Sequence, residues 1–272
     1  MHPTIGYHVA KDRPAGPAAQ GSNALAPGTS ADLLTSMATA QQGSVDRQTW
    51  LDQRHRAVLA SYDQDAATYD DRGYPATAQR TWVARLLDAC PPAAKILDAP
   101  CGTGQYFSMV AAAGHRVHGA DQSAGMLAQA RARSIATVLH QVGLQDLPYA
   151  SEFDAILTID AMEHIPPEDW RLVLANLHRA ARPGGLLYLT VEEAAEPVIE
   201  DAFAALTRRG LPAVRGEIIT GDVGGYHYYP GRNQVTAWFQ AAGLHILDEG
   251  FNQEEDDWGY RHFLLQRAPQ SR

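Results

Sequence analysis

Cysteine is nearly absent from this chain of 272 residues, which carries two, Cys90 and Cys101. Two thiols at that spacing give neither a disulfide framework nor a zinc-ligand pattern, and they suit a reducing compartment. No apolar run approaches the roughly 20 residues that span a bilayer, and no basic segment followed by an apolar one opens the chain. Positive charge is scarce as well: 22 Lys and Arg face 31 Asp and Glu, for a formal net charge of -9. That balance disfavours a non-specific nucleic-acid surface. A soluble, cytoplasmic protein with no nucleic-acid and no membrane partner is expected.

What is present is ample apolar material, 45% of the chain, enough for one sizeable domain with embellishments. Residues 1–44 are rich in Ala, Pro, Gly, Ser and Thr without a lasting apolar period, and read as a disordered leader. Residues 45–92 read as N-terminal helices. Trp50, Leu51, Val58 and Leu59 recur at helical spacing; Trp82, Val83, Leu86 and Leu87 do so in a second helix that Pro91 and Pro92 stop. Between them, residues 62–74 mix tyrosines with acids. That stretch is either a solvated helix end or a flap over a pocket.

From Lys95 the pattern changes. Lys95-Ile-Leu-Asp98 reads as a buried strand, followed by the turn Ala99-Pro-Cys-Gly-Thr-Gly104 and a helix opening at Gln105. Further strands are predicted over 116–120, 137–140, 153–159 and 186–191, with helices over 126–133 and 167–181 between them. Such alternation argues for a parallel sheet covered on both faces, with ligands bound beyond the carboxyl ends of the strands. Asp98, Asp121, Asp160 and Glu192 all fall at such ends. Beyond them come a helix over 197–209, an irregular glycine-rich stretch over 211–229, a helix over 234–242, and an antiparallel hairpin of strands 244–249 and 260–266.

A glycine turn before a helix commonly cradles a phosphate, and in a dinucleotide site it reads G-x-G-x-x-G. Here Phe107 takes the third glycine position, where a bulky ring opposes close packing of helix on strand. Asp98 would also repel a pyrophosphate, whereas it suits an amino group or a sulfonium.

Asp98-Ala-Pro-Cys-Gly-Thr-Gly104 resembles the first motif, D-x-G-x-G-x-G, of the class I S-adenosylmethionine-dependent methyltransferases, with Pro100 replacing the first glycine. The resemblance runs from about Tyr62 to the C-terminus. It implies a doubly wound, mostly parallel seven-stranded α/β sheet of Rossmann-like type with an antiparallel C-terminal hairpin. Residues 93–272 would form the cofactor-binding core, with a substrate-lid insertion at about 195–232, and S-adenosylmethionine would be the cofactor. By position, Asp121 would accept the ribose hydroxyls with Gln122 beside it. Gln145, Asp146 and Leu147 would meet adenine, and Met126 would pack on its ring. Ile159 and Asp160 would run beside the methionine moiety, Tyr69 would cover its amino-acid end, and Asp98, Pro100, Gly102 and Gly104 would form the turn itself.

The methyl acceptor falls to the variable parts. His164 and His227 are the candidate bases, since an imidazole titrates near neutrality. Glu163, Glu192, Tyr226, Tyr228 and Tyr229 are candidate acceptor contacts, the tyrosines forming a mobile wall suited to a planar small molecule. Asp160, Glu163 and His164 resemble the grouping of metal-assisted ubiquinone-biosynthesis O-methyltransferases, but the expectation is an acidic rim with no metal. Glu193 and the acids at 254–257 keep a cationic amine open. The first reading is methylation of a hydroxyl or amine on a small, specialised metabolite. The alternatives are a protein or peptide methyltransferase and a non-methylating cyclase that keeps the cofactor. A homodimer is possible.

Overall fold

The computed structural model describes residues 45–72, 77–136, 138–220, 225–255 and 257–269; the expected leader and Tyr74 lie outside them. The first helix, α1 (Arg47–Asp65), starts where the Asp46 carboxylate accepts from Thr49 N at 3.0 Å and from Thr49 Oγ1 at 2.7 Å. That capping supplies an acceptor to a first turn that has none of its own. A 3-10 helix, Ala66–Arg72, continues from it. Next come α2 (Thr77–Asp88), β1 (Lys95–Asp98), α3 (Phe107–Ala112), β2 (Arg116–Asp121), α4 (Ala124–Ala132) and β3 (Val138–Gln141). The core alternation closes with β4 (Phe153–Thr158), α5 (Trp170–Ala180) and β5 (Ala181–Ala194). The remainder is α6 (Glu196–Arg208), β6 (Glu217–Thr220), β7 (Gly225–Tyr228), α7 (Arg232–Ala241), β8 (Leu244–Glu255) and β9 (Trp258–Arg267).

Seven strands form one sheet in the order β3-β2-β1-β4-β5-β9-β8. β1 to β5 pair in parallel, and β9 runs antiparallel to both β5 and β8. The doubly wound sheet and its closing hairpin are therefore as the sequence implies. Side chains alternate across the pleat. Ile96, Ala155 and Leu157 pack with Val83, Leu86, Phe107, Val110 and Leu127 of α2, α3 and α4. Leu97 and Ile156 pack on the opposite face with Trp170, Leu177 and Phe239 of α5 and α7. Burial on both faces explains why these strands read as near-continuous apolar runs. The chain leaves β1 towards β2 on one side and finds β4 on the other, so a crevice opens at the end of β1.

Phe107 is fully buried, and two glycines make its room. A Cβ on Gly104 would lie 2.6 Å from its ring, and one on Gly119 would lie 2.8 Å from its tip. The helix thus packs on the strand around an aromatic ring, the glycines standing beside it rather than in its place.

The stretch expected to be irregular differs most. Within 211–229 the described residues hold an antiparallel pair, β6 with β7, in which Glu217 lies opposite Tyr228 and Thr220 opposite Gly225. Its anchor is a buried charge. Glu217, 0% exposed, accepts from Arg47 Nη1 and Nη2 at 2.8 Å each, from Tyr226 Oη at 2.7 Å and from Val214 N at 2.7 Å. A strand pinned through a carboxylate has no apolar alternation for a pattern reading to find. The hairpin strand β8 also runs past the expected 249 to Glu255, because Glu254 and Glu255 continue the sheet's outer strand beside β9.

Candidate active site

The carboxyl ends of β1, β2 and β4 open into a cavity of about 1040 Å³, open solvent at its mouth included. Gly102 turns through φ +51°, and a Cβ built there would meet no atom within 4 Å. Bare backbone therefore faces open space, in a conformation that glycine adopts at little cost. Gly104, at φ +80°, is instead spent on Phe107. Asp121 Oδ2 accepts from Gly102 N at 2.9 Å, and its Oδ1 accepts from Ser123 N at 2.8 Å. The carboxylate is thereby held in one orientation while each oxygen keeps capacity for a further donor. Burial pushes its pKa up, against those two hydrogen bonds.

The far wall comes from the N-terminal segment. His55, Val58, Leu59 and Tyr62 of α1 and Tyr69 of the 3-10 helix line the cavity. Two acids fasten this segment over the glycine turn. Asp63 Oδ1 accepts from Ser123 Oγ at 2.6 Å and Gly125 N at 2.9 Å, bonds that hold its carboxyl below the usual range. Asp70 Oδ1 accepts from Thr103 Oγ1 at 2.6 Å and Gln105 Nε2 at 3.0 Å, and Arg133 pairs with its other oxygen. The acids among the tyrosines thus tie this segment to the glycine turn and to the start of α4.

At the β4 end stand Ile159, Asp160, Ala161, His164 and Ile165, with Tyr106 of the turn facing them. His164 Nδ1 lies 3.0 Å from the Tyr226 carbonyl. A carbonyl only accepts, so Nδ1 carries the proton, and Nε2 accepts from the Tyr62 hydroxyl at 2.7 Å. Burial, then the neighbouring His227, lowers the His164 pKa to about 4. The imidazole is neutral at ordinary pH, its one lone pair turned to Tyr62.

Behind His164 the His227 ring lies edge-on at 5.0 Å between centroids. Its Nδ1–H donates to Glu192 Oε2 at 2.6 Å, and Tyr260 donates to Glu192 Oε1 at 3.1 Å. Burial alone would raise Glu192; the hydrogen bond from His227 and the closeness of that ring outweigh it and hold the carboxyl down. Glu163, 3% exposed, has an Oε2 with no hydrogen-bond partner, and burial and then Glu192 raise its pKa well above the usual range. Glu193 is paired with Arg261. Among the described residues no group of three or more His, Cys, Asp and Glu is arranged to hold a metal.

Of the residues singled out in the sequence, the structure brings Tyr69, Pro100, Gly102, Asp121, Gln122, Met126, Gln145, Ile159, Asp160 and His164 together around this cavity. Asp98 lies beneath it, 1% exposed, with Oδ2 unpartnered. Asp146 and Tyr226 line an adjoining cavity, while Leu147 is core. On β7, Tyr226 and Tyr228 share one face and His227 takes the other. Tyr228 therefore packs over Gly216, and His227 reaches back to Glu192, with Tyr229 Oη 3.3 Å from its Nδ1. Sequence reading reached Tyr62 only as the start of a possible flap, and missed Gln105, Tyr106 and Ser123 as cavity residues. Tyr106 and Gln105 follow the glycine turn directly, and that position was the available signal.

The cavity suits a ligand that brings hydroxyl donors to Asp121 and positive charge towards the unpartnered Asp98. Residues 96–185 match the model of a family described as a methyltransferase domain. The chain is 31% identical to a demethylmenaquinone methyltransferase of Parafrankia sp. over 230 residues, 71% of this chain and 88% of that one. It is 31% identical to a malonyl-(acyl-carrier protein) O-methyltransferase of Erwinia pyrifoliae over 160 residues, 56% of this chain and 58% of that one. Among solved structures, the 1,6-didemethyltoxoflavin-N1-methyltransferase of Burkholderia thailandensis, with 1,6-didemethyltoxoflavin and S-adenosylhomocysteine bound, shares the fold at TM-score 0.61 and 17% identity, over 78% of this chain and 88% of that one.

Proposed function

The chain belongs to the class I S-adenosylmethionine-dependent methyltransferases, and on that premise we propose that it methylates a hydroxyl of a small-molecule acceptor, with an amine as the second acceptor class. When bound, S-adenosylmethionine supplies an electrophilic methyl group. The chain's own residues bind, orient and move a proton. Asp121, fixed by Gly102 N and Ser123 N, takes the ribose hydroxyls, and the bare backbone at Gly102 lets the ligand approach. Gln122, Met126 and Gln145 enclose the adenine side. Asp160, Tyr69 and the buried Asp98 take the methionine end, because β4 lies across β1 from β2.

The observation that carries the hydroxyl reading is the Tyr62–His164 pair, 2.7 Å apart on the cavity wall. A hydroxyl must lose its proton as it gains a methyl group, and a neutral imidazole whose lone pair faces a phenol can receive it through that phenol. His227, Glu192, Tyr228 and Tyr229 stand behind as support for β7 and His164. In-line positioning by the flap and the β4 end contributes the larger share of the rate.

The test uses S-adenosylmethionine labelled in its methyl group, incubated with hydroxyl and amine small molecules and with basic peptides, and read by mass spectrometry. Label on a small-molecule oxygen is expected. Label on peptides alone would contradict the proposal.

A further inference from the structure

Three buried carboxyl groups lack a cationic partner: Asp160 on the cavity wall, and Asp98 and Glu163 enclosed behind it. Asp98 Oδ2 and Glu163 Oε2 have no hydrogen-bond partner at all. Asp160 lines the cavity, and its side chain leaves a backbone held at φ +49°. Its Oδ1 is 3.5 Å from Gln79 Nε2 of α2 and 3.3 Å from Thr190 Oγ1 of β5. The other charged groups that bear on it are Glu192 of β5 and Glu254 of β8; Tyr106 and Tyr188 also lie within its field. Glu163 meets Glu192 and Asp160, with His164 Nε2 4.0 Å away. Among the described residues no lysine or arginine pairs with Asp98, Asp160 or Glu163.

Enclosed carboxyls with no cationic partner hold their protons, and a ligand that brings positive charge favours the ionised form. The methyl donor carries a sulfonium and has a net charge of about +1; its demethylated product has a neutral sulfur and a net charge of about 0. We propose that Asp160, with Glu163 behind it, is the residue that selects the cationic methyl donor over its neutral-sulfur product, giving up its own proton to solvent as the donor binds. The proton balance is simple: the protonated Asp160 carboxyl becomes carboxylate, and one proton leaves for each cation taken up. The Asp160 pKa, raised to about 7 by burial, places that exchange near neutrality. This inference rests on the proposed placement of Asp160 at the methionine end.

Calorimetric titration in two buffers of different ionisation enthalpy counts the protons released. At pH 7, S-adenosylmethionine is expected to release about half a proton more than S-adenosylhomocysteine. Sinefungin, which has an amine where the donor has its sulfonium, should match the donor. Asp160→Asn should abolish the difference and lower donor affinity about tenfold more than product affinity; Glu163→Gln should reduce the difference, and serves if the first variant does not fold. Equal proton counts for donor and product, or a difference that survives in the folded Asp160→Asn variant, would overturn the inference with the cofactor reading intact. Failure of both ligands to bind wild type would overturn both together.

Discussion

The Tyr62 hydroxyl lies 2.7 Å from His164 Nε2, and the Tyr226 carbonyl on the far side of the ring fixes the proton on Nδ1. The base candidate therefore addresses the cavity through a phenol. Tyr62→Phe keeps the ring and removes the relay. With a hydroxyl acceptor its single-turnover methylation rate should fall about 100-fold, while cofactor affinity by calorimetry stays within about twofold. Because His164 is neutral down to about pH 4, no step assignable to it should appear in the pH-rate profile between pH 5 and 8. An unchanged rate in the variant would remove Tyr62 from the proton path.

The two glycines of the turn should separate stability from binding. Gly104→Ala puts a Cβ 2.6 Å from the Phe107 ring at φ +80°, and should destabilise the fold by about 3 kcal/mol through strain and overpacking. Gly102→Ala meets no protein atom. Its cost to stability should be about 1 kcal/mol, whereas its methyl group fills the space offered to the cofactor and should weaken binding at least tenfold. Urea unfolding and calorimetry on the two variants check the split.

These glycines also mark how far the sequence could be read. The parallel core was legible because strands such as β4, with Phe153, Ala155, Ile156 and Leu157 all buried, are apolar on both faces and bounded by turns. The residues proposed for the donor stood out because Asp98 and Asp121 close β1 and β2 and Gly102 falls in the turn between them. Those proposed for the acceptor side did not. Tyr62 meets His164 across 102 positions, and β6–β7 is held by Arg47 reaching Glu217 across 170; neither leaves a local pattern. Phe107 misled in part, since its fit depends on Gly119, a residue of the next strand.

The Arg47–Glu217 pair should be a point of fragility. Glu217 is wholly buried and takes two hydrogen bonds from Arg47. Removing one partner leaves the other charge enclosed, so Arg47→Met should cost about 3–5 kcal/mol and loosen β6–β7. Hydrogen exchange at the amides of β6 and β7 should quicken more than at those of β1. Equal protection in variant and wild type would contradict this.

Asp160 gives a stability signature in the ligand-free protein. Its carboxyl titrates at about 7 in the fold against an ordinary 3.8. Between those values the folded chain holds a proton that the unfolded chain lacks, so this group's contribution falls as pH rises from about 4 to 7. Asp160→Asn removes that decline. The variant should gain on wild type with rising pH, reaching on the order of 3 kcal/mol at pH 8. The lowered His164 and His262 pKa values act in the opposite direction, but they are common to both proteins and cancel. Parallel denaturation curves at pH 5 and pH 8 read the difference.

The donor site is the centre of the account, and Asp121 is its most exacting residue. Calorimetric titration of wild type and Asp121→Ala with S-adenosylhomocysteine should show saturable binding to the first, and affinity at least 100-fold weaker in the second, with unchanged circular dichroism. Unchanged affinity in Asp121→Ala, or no binding to wild type, would contradict it.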